Sequence, residues 1–167
     1  MSAFRKISDS VTPHDEFGKI TILLSFLITF FGGSMAAAQF AGGTGSANDP
    51  YQIATADQLN CIGSNPNYVD KNYILVDDID MDDLTFARFS IIGNMNYPFE
   101  GVFDGRGHKI INFSLDTYGR YYVGLFGYIK GAEIKNLGLE DINITTQDCN
   151  WVGGLAGHSD SFCTVSN

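Results

Sequence analysis

One pattern constrains this chain more than any other: a segment of glycines, aromatics and branched apolar residues comes back on itself. The run GVFDGRGHKIINFSL at 101–115 compares with GLFGYIKGAEIKNLGL at 124–139. Gly101, Phe103, Ile110, Asn112, Phe113 and Leu115 align with Gly124, Phe126, Ile134, Asn136, Leu137 and Leu139, at an offset of 23 that grows to 24. A third copy, WVGGLAGHSDSFCTVSN at 151–167, follows YVGLFGYIKGAEIKN at 122–136 at an offset of 30 to 31, which reads as a loop insertion at 144–150. Short apolar runs between turn residues, repeated at such a period, mark a solenoid. Each repeat reads as one coil of two or three short parallel strands. One coil cannot bury its inward Ile, Leu and Phe alone, but coils stacked ~4.8 Å apart share a continuous interior. This reading places Phe103 on Phe126 and Asn112 on Asn136 on Asn167, with Gly101, Gly124 and Gly153 at tight corners.

The segment 1–38 reads differently. ITILLSFLITFF, at 20–31, carries no charge, and Ala36-Ala37-Ala38 follows. An apolar stretch of this length before A-x-A has the form of a secretory signal peptide, with cleavage expected after Ala38. The alternative is a retained membrane anchor. Arg5, Lys6 and Lys19 balance Asp9, Asp15 and Glu16, so the net charge of −9 belongs wholly to residues 39–167. A domain this acidic lacks the electrostatic footprint of a nucleic-acid or anionic-membrane binder. The membrane enters only through the N-terminal segment if it stays uncleaved. Cys61, Cys149 and Cys163 form an odd set. Export permits a disulfide, with Cys149 and Cys163 the nearer pair; otherwise all three are small buried hydrophobes.

Residues 39–50, rich in Gly and Ser, form a flexible lead-in. Residues 51–72 form an N-terminal cap with one short helix. Thr55 and Gln58 make a capping box, Leu59 and Ile62 share a face, and Gly63 is placed to end the helix in the left-handed conformation. The helix is expected to cover the first coil, whose edge would otherwise recruit other strands. YILVDDIDM, residues 73–81, reads as a strand. It opens the coils, which run over 73–167. Since the chain reaches Asn167 in mid-repeat, its lower end is expected to be covered by further chain or by a partner.

Val152-Gly153-Gly154-Leu155-Ala156-Gly157 is similar to the GLUG motif of bacterial secreted and surface repeat proteins, and Val123-Gly124-Leu125-Phe126-Gly127 is a degenerate copy. The upstream blocks DPYQIATADQL, DIDM and PFEGVFDGRGHKI resemble the region that precedes such repeats. The resemblance implies a right-handed parallel β-helix on an exported, adhesin-like protein; with the repeat left open at Asn167, the expected fold is all-β and C-terminally incomplete. It carries over no catalytic residue.

Three groups of residues invite a function. Asp78, Asp80 and Asp82 would share one face of a strand, and as hard oxygen ligands they could hold Ca²⁺; the alternative is a solvated edge. Asp104-Gly105-Arg106-Gly107-His108 resembles a site of β-helix lyases but is first of all a turn. Tyr121, Tyr122 and Trp151, with Tyr118 and Tyr128, fall at or near turns where rings could stack on sugars or pack coil corners. The expected role is a non-enzymatic adhesion or structural surface module toward polysaccharide or a cell-surface protein. The alternatives are the N-terminal part of a β-helical lyase or glycoside hydrolase, and the repeat region of a surface peptidase.

Overall fold

The computed structural model of the protein describes residues 39–84 and 88–167; the expected signal peptide lies outside the described residues. A first strand, β1 (Tyr51–Ile53), leads into a helix, α1 (Ala56–Ser64). Strands β2 (Asn72–Leu75) and β3 (Ile79–Asp80) follow. Then five short strands make one full coil: β4 (Val102–Asp104), β5 (Lys109–Ile111), β6 (Ser114–Tyr118), β7 (Tyr121–Val123) and β8 (Phe126–Lys130). The next coil repeats them as β9 (Glu133–Lys135), β10 (Gly138–Glu140), β11 (Asn143–Gln147), β12 (Asn150–Val152) and β13 (Ala156–Asp160), and β14 (Thr164–Ser166) begins another.

Every pair among these strands is parallel, and each strand pairs with its counterpart in the coil above or below. One sheet runs through the described coils in the order β1-β2-β4-β9-β14. The molecule is therefore a β-solenoid of about three turns. Strands this short cannot stand alone, and their stability comes from the stacking of coils.

The register corrects the alignment of repeats. Phe103 pairs with Tyr73 on one side and with Ile134 on the other. Leu115 pairs with Ile144, Val123 with Val152 and Phe126 with Ala156. A coil thus has five sides and a period close to thirty, not two or three sides and a period in the low twenties. Phe103 and Phe126 are not stacked partners. They meet edge to face across the interior, with ring centroids 5.5 Å apart. Asn112 does not lie on Asn136, because the two follow strands of different sheets; Asn136 keeps its expected relation to the last coil through its backbone N–H, which donates to Ser166 O. The segment 144–150 is no insertion. Most of it belongs to β11, which pairs with β6.

The interior is a column of large side chains. Tyr51, Tyr73, Phe103 and Ile134 stack in register and are at most 8% exposed. Ile53, Leu75, Ile79, Ile110, Phe113 and Phe126 fill the rest. Each such side chain contributes ~1.5–3 kcal/mol of burial.

Phe40 stacks on Tyr51 at the end of the column with centroids 4.4 Å apart, while the helix lies between β1 and β2 in the chain and packs on the interior. Its Leu59 and Ile62 are fully buried, and its buried Asn60 accepts a hydrogen bond from Ser90 N–H at 2.6 Å. Thr55 Oγ1 accepts from Gln58 N–H as the capping box requires, but the Gln58 side chain reaches one residue further back, to Ala54 N–H. Gly63 does not end the helix. The helix runs to Ser64 with an extended cap at Asn65, and a Cβ on Gly63 would lie 1.9 Å from Ser90 O. Glycine is needed there because another stretch of backbone crosses the helix. Nor is 73–81 a single strand. The chain leaves β2 at Leu75, turns a corner at 76–78, and β3 ends where Asp80 caps a 3-10 turn over Met81–Asp83.

Candidate functional site

The acidic residues are held by the coils. Asp78 Oδ1 accepts from Lys109 N–H at 3.1 Å and lies 3.2 Å from His108 Nδ1. The Lys109 backbone bond, then the His108 interaction, hold its carboxyl below the usual range. Asp80 Oδ1 accepts from the Asn112 amide at 2.9 Å and from Asp82 N–H at 3.0 Å, and these two bonds lower its pKa. The alternation that would set Asp78, Asp80 and Asp82 on one face breaks at Asp80, because Asp82 lies in the 3-10 turn. Among the described residues no group of three or more His, Cys, Asp or Glu side chains is placed to hold a metal ion.

The Asp80–Asn112 pair has a twin. Asn136 donates its amide to Asp104 Oδ1 at 3.0 Å. Both asparagines have positive φ, 59° and 51°. Asn tolerates this left-handed region better than most residues, so the same side chain turns the corner and pins the preceding coil. In the Asp104-Gly105-Arg106-Gly107-His108 run, Asp104 also accepts from Arg106 N–H, and His108 N–H closes on Gly105 O. These bonds make it a turn. Cys61, Cys149 and Cys163 are half-buried free thiols.

The aromatic residues do converge. Tyr122 on β7 and Trp151 on β12 hold equivalent places in successive coils, each one residue before the register pair Val123 and Val152. Their rings stack at 5.0 Å with planes 11° apart. Tyr121 tilts against Trp151 at 5.7 Å. Tyr128 and His158, which pair across β8 and β13, join at 4.8 Å, and Tyr122 contacts both. The result is a ridge of five rings along the solenoid axis. Tyr121 and Trp151 remain 61% and 51% exposed. Tyr118 is exposed but makes no ring contact with the ridge among the described residues.

Tyr122 and Trp151 share one further property. Their φ angles are 61° and 54°. The left-handed region costs a residue with a Cβ ~1–2 kcal/mol, and a bulky ring there is uncommon. The backbone of both coils is shaped so that these rings project from the corner. Glycines in the strands that follow leave room for these two residues: a Cβ on Gly127 would meet Tyr122 O at 2.8 Å, and one on Gly157 would meet Trp151 O at 2.6 Å. Burial, then the bond to Asp160, raises the Tyr128 phenol pKa. Bonds from Ser161 and Tyr128 in turn hold Asp160 low.

The ridge borders two concavities. Tyr121 and Tyr122 stand at the edge of a groove of about 900 Å³, whose walls include Arg88, Phe113, Leu115 and Arg120. Tyr128 walls a hollow of about 440 Å³ together with Met95, Tyr97, Glu100, Lys130 and Asp160.

Of the aromatics expected to bind a ligand, Tyr121, Tyr122 and Trp151 are therefore brought together. His158 escaped the reading of the sequence. It stands one true coil period after Tyr128, its register partner, and that spacing is the signal that would have found it.

No family model matches the chain, and no solved structure does. Two curated proteins are similar to it. One, from Evansella cellulosilytica, is named as a putative Gly-rich membrane protein and is 32% identical over 155 residues, covering 84% of this chain and 18% of its own length. The other, halomucin of Haloquadratum walsbyi, is 32% identical over 127 residues, covering 70% of this chain and 1% of its own length. The chain thus spans a small part of each relative it matches. No helix among the described residues is long and apolar enough to cross a membrane.

Proposed function

We propose that the chain is an exported, non-enzymatic β-solenoid module, of the GLUG-repeat kind, that holds polysaccharide at a surface through its aromatic ridge. The observation that carries this reading is the stack of Tyr122 on Trp151, one ring from each of two successive coils, both on left-handed backbone and with Trp151 left partly open to solvent. A ladder serving only to lock coil corners gains nothing from exposed ring area. A sugar, with one apolar C–H face, fits a flat ring bordered by hydroxyls and a carboxylate. The apolar segment at 20–31 supports export, and the names of the two relatives, a putative Gly-rich membrane protein and halomucin, agree with a surface setting.

The test is retention of the protein on insoluble neutral polysaccharides, such as cellulose and chitin. Trp151→Ala and Tyr121→Ala are each expected to weaken retention at least about tenfold, equivalent to roughly 1.4 kcal/mol, while far-UV circular dichroism stays unchanged. Retention equal to that of the unaltered protein in both variants would overturn the reading.

A further inference from the structure

The hollow beside the ridge adds a preference that the rings alone do not. Its walls combine Met95, Tyr97 and Tyr128 with the polar Asn96, and its charged groups are Glu100, Asp160 and Lys130. Two carboxylates thus face one ammonium. Lys130 lies opposite Asp160 in the strand register and offsets part of its charge. Asp160 is anchored by Tyr128 Oη at 3.2 Å and by Ser161 Oγ at 3.0 Å, which fixes a negative charge at the rim of an aromatic wall. The groove on the other border of Tyr122 differs: there Arg88 and Arg120 balance Asp82 and Asp116. The whole chain carries −9 and so repels polyanions and concentrates cations before any contact forms.

Aromatic faces attract cations, and a nearby carboxylate adds to this where water is partly excluded. We infer that the hollow walled by Tyr97 and Tyr128 and rimmed by Glu100 and Asp160 takes a protonated amine, so that the ridge prefers amino-bearing glycans over acetylated, neutral or uronic ones. The inference rests on the polysaccharide reading above and names its ligand class.

The chain contains a single tryptophan, Trp151, and it sits on the ridge, so its fluorescence reports binding directly. The full chain is titrated, at mildly acidic pH and low salt, with hexamers of glucosamine, N-acetylglucosamine and galacturonate. The glucosamine hexamer is expected to bind about tenfold more tightly than the acetylated one, and galacturonate not at all. Raising the salt to ~0.5 M should compress the preference, since screening is then severe within a few ångströms. In Glu100→Gln/Asp160→Asn the two hexamers should bind within about twofold of each other; Glu100→Gln alone, which leaves the Tyr128 bond in place, should lose part of the preference. Equal affinity for the two hexamers in the unaltered chain, or a preference that survives the double substitution, overturns the charge assignment and leaves the polysaccharide reading standing. Binding of neither hexamer overturns the assignment, and if neutral polysaccharide is also not retained, the broader reading falls with it.

Discussion

Asn136 does two jobs that a substitution series separates. Its backbone is left-handed, and its amide bonds the Asp104 carboxylate of the coil above. Alanine loses both, whereas glycine loses only the amide. Asn136→Ala is therefore expected to destabilise by about 1–2 kcal/mol more than Asn136→Gly, the cost of a Cβ in that region; urea unfolding measures it. The bond to Asp104 has its own signature in acid. Burial alone would raise the Asp104 pKa, but the Asn136 amide and Arg106 N–H outweigh it, so the folded pKa lies below the unfolded one. The same sign holds for Asp80 through Asn112 and for Asp78 through Lys109 N–H. A depressed carboxylate contributes stability above its unfolded pKa and loses it as pH falls through the folded value. The melting temperature should thus drop as pH falls below about 4, and the drop should shrink in Asn112→Gly/Asn136→Gly. An equally steep drop in that double variant would show that other groups set the acid limit. The sequence made these asparagines conspicuous as turn residues. It could not show their partners, since each pairs across a whole coil with an aspartate that local patterning treats as surface charge.

At the scale of elements, the helix was legible because its signals are local: a Thr cap, a Gln three residues on, and apolar residues on one face. Gly63 was misread because its reason is not local. Helix propensity predicts that Gly63→Ala stabilises by about 1 kcal/mol. The structure predicts the opposite sign, since the new methyl would meet Ser90 O, a backbone atom, at 1.9 Å. Displacing packed backbone costs about 1–3 kcal/mol, so Gly63→Ala should lower stability in thermal unfolding. A rise in melting temperature would mean that the 88–92 segment yields freely to the helix. The coil period was misread for a related reason. Every side of a coil obeys one rule, an inward apolar residue followed by a corner, and two sides here close on a left-handed Asn. Sides of different sheets then resemble each other as closely as true counterparts do. The match of 101–115 with 124–139 therefore outscored the real, longer repeat that pairs Phe103 with Ile134 and Leu115 with Ile144. The aromatic residues were legible as a set of exposed rings. Their assembly into one ridge depends on the true period and so became visible only with the register.

For the molecule as a whole, a solenoid gives each coil only two neighbours, and stability is a sum of coil and interface terms rather than the property of one central core. The stacked column makes this measurable. Phe103 is fully buried between Tyr73 and Ile134, while Val165, in the same column below Ile134, is 57% exposed. Phe103→Ala removes a large buried ring and should cost about 3–5 kcal/mol. Amide hydrogen exchange tests the same gradient without substitution. Protection should be greatest for the backbone bonds joining β2, β4 and β9, whose inward Tyr73, Phe103 and Ile134 are buried, and lower at β14, whose Val165 is exposed. Uniform protection from β2 to β14 would mean that the described coils unfold as one unit. The ridge lies between these extremes, with Tyr122 on the protected coil and Trp151 on the coil below it. A polysaccharide bridging both rings would bind the closed coils better than the opened ones, so a bound glycan should raise protection in β12 and β13 more than in β4.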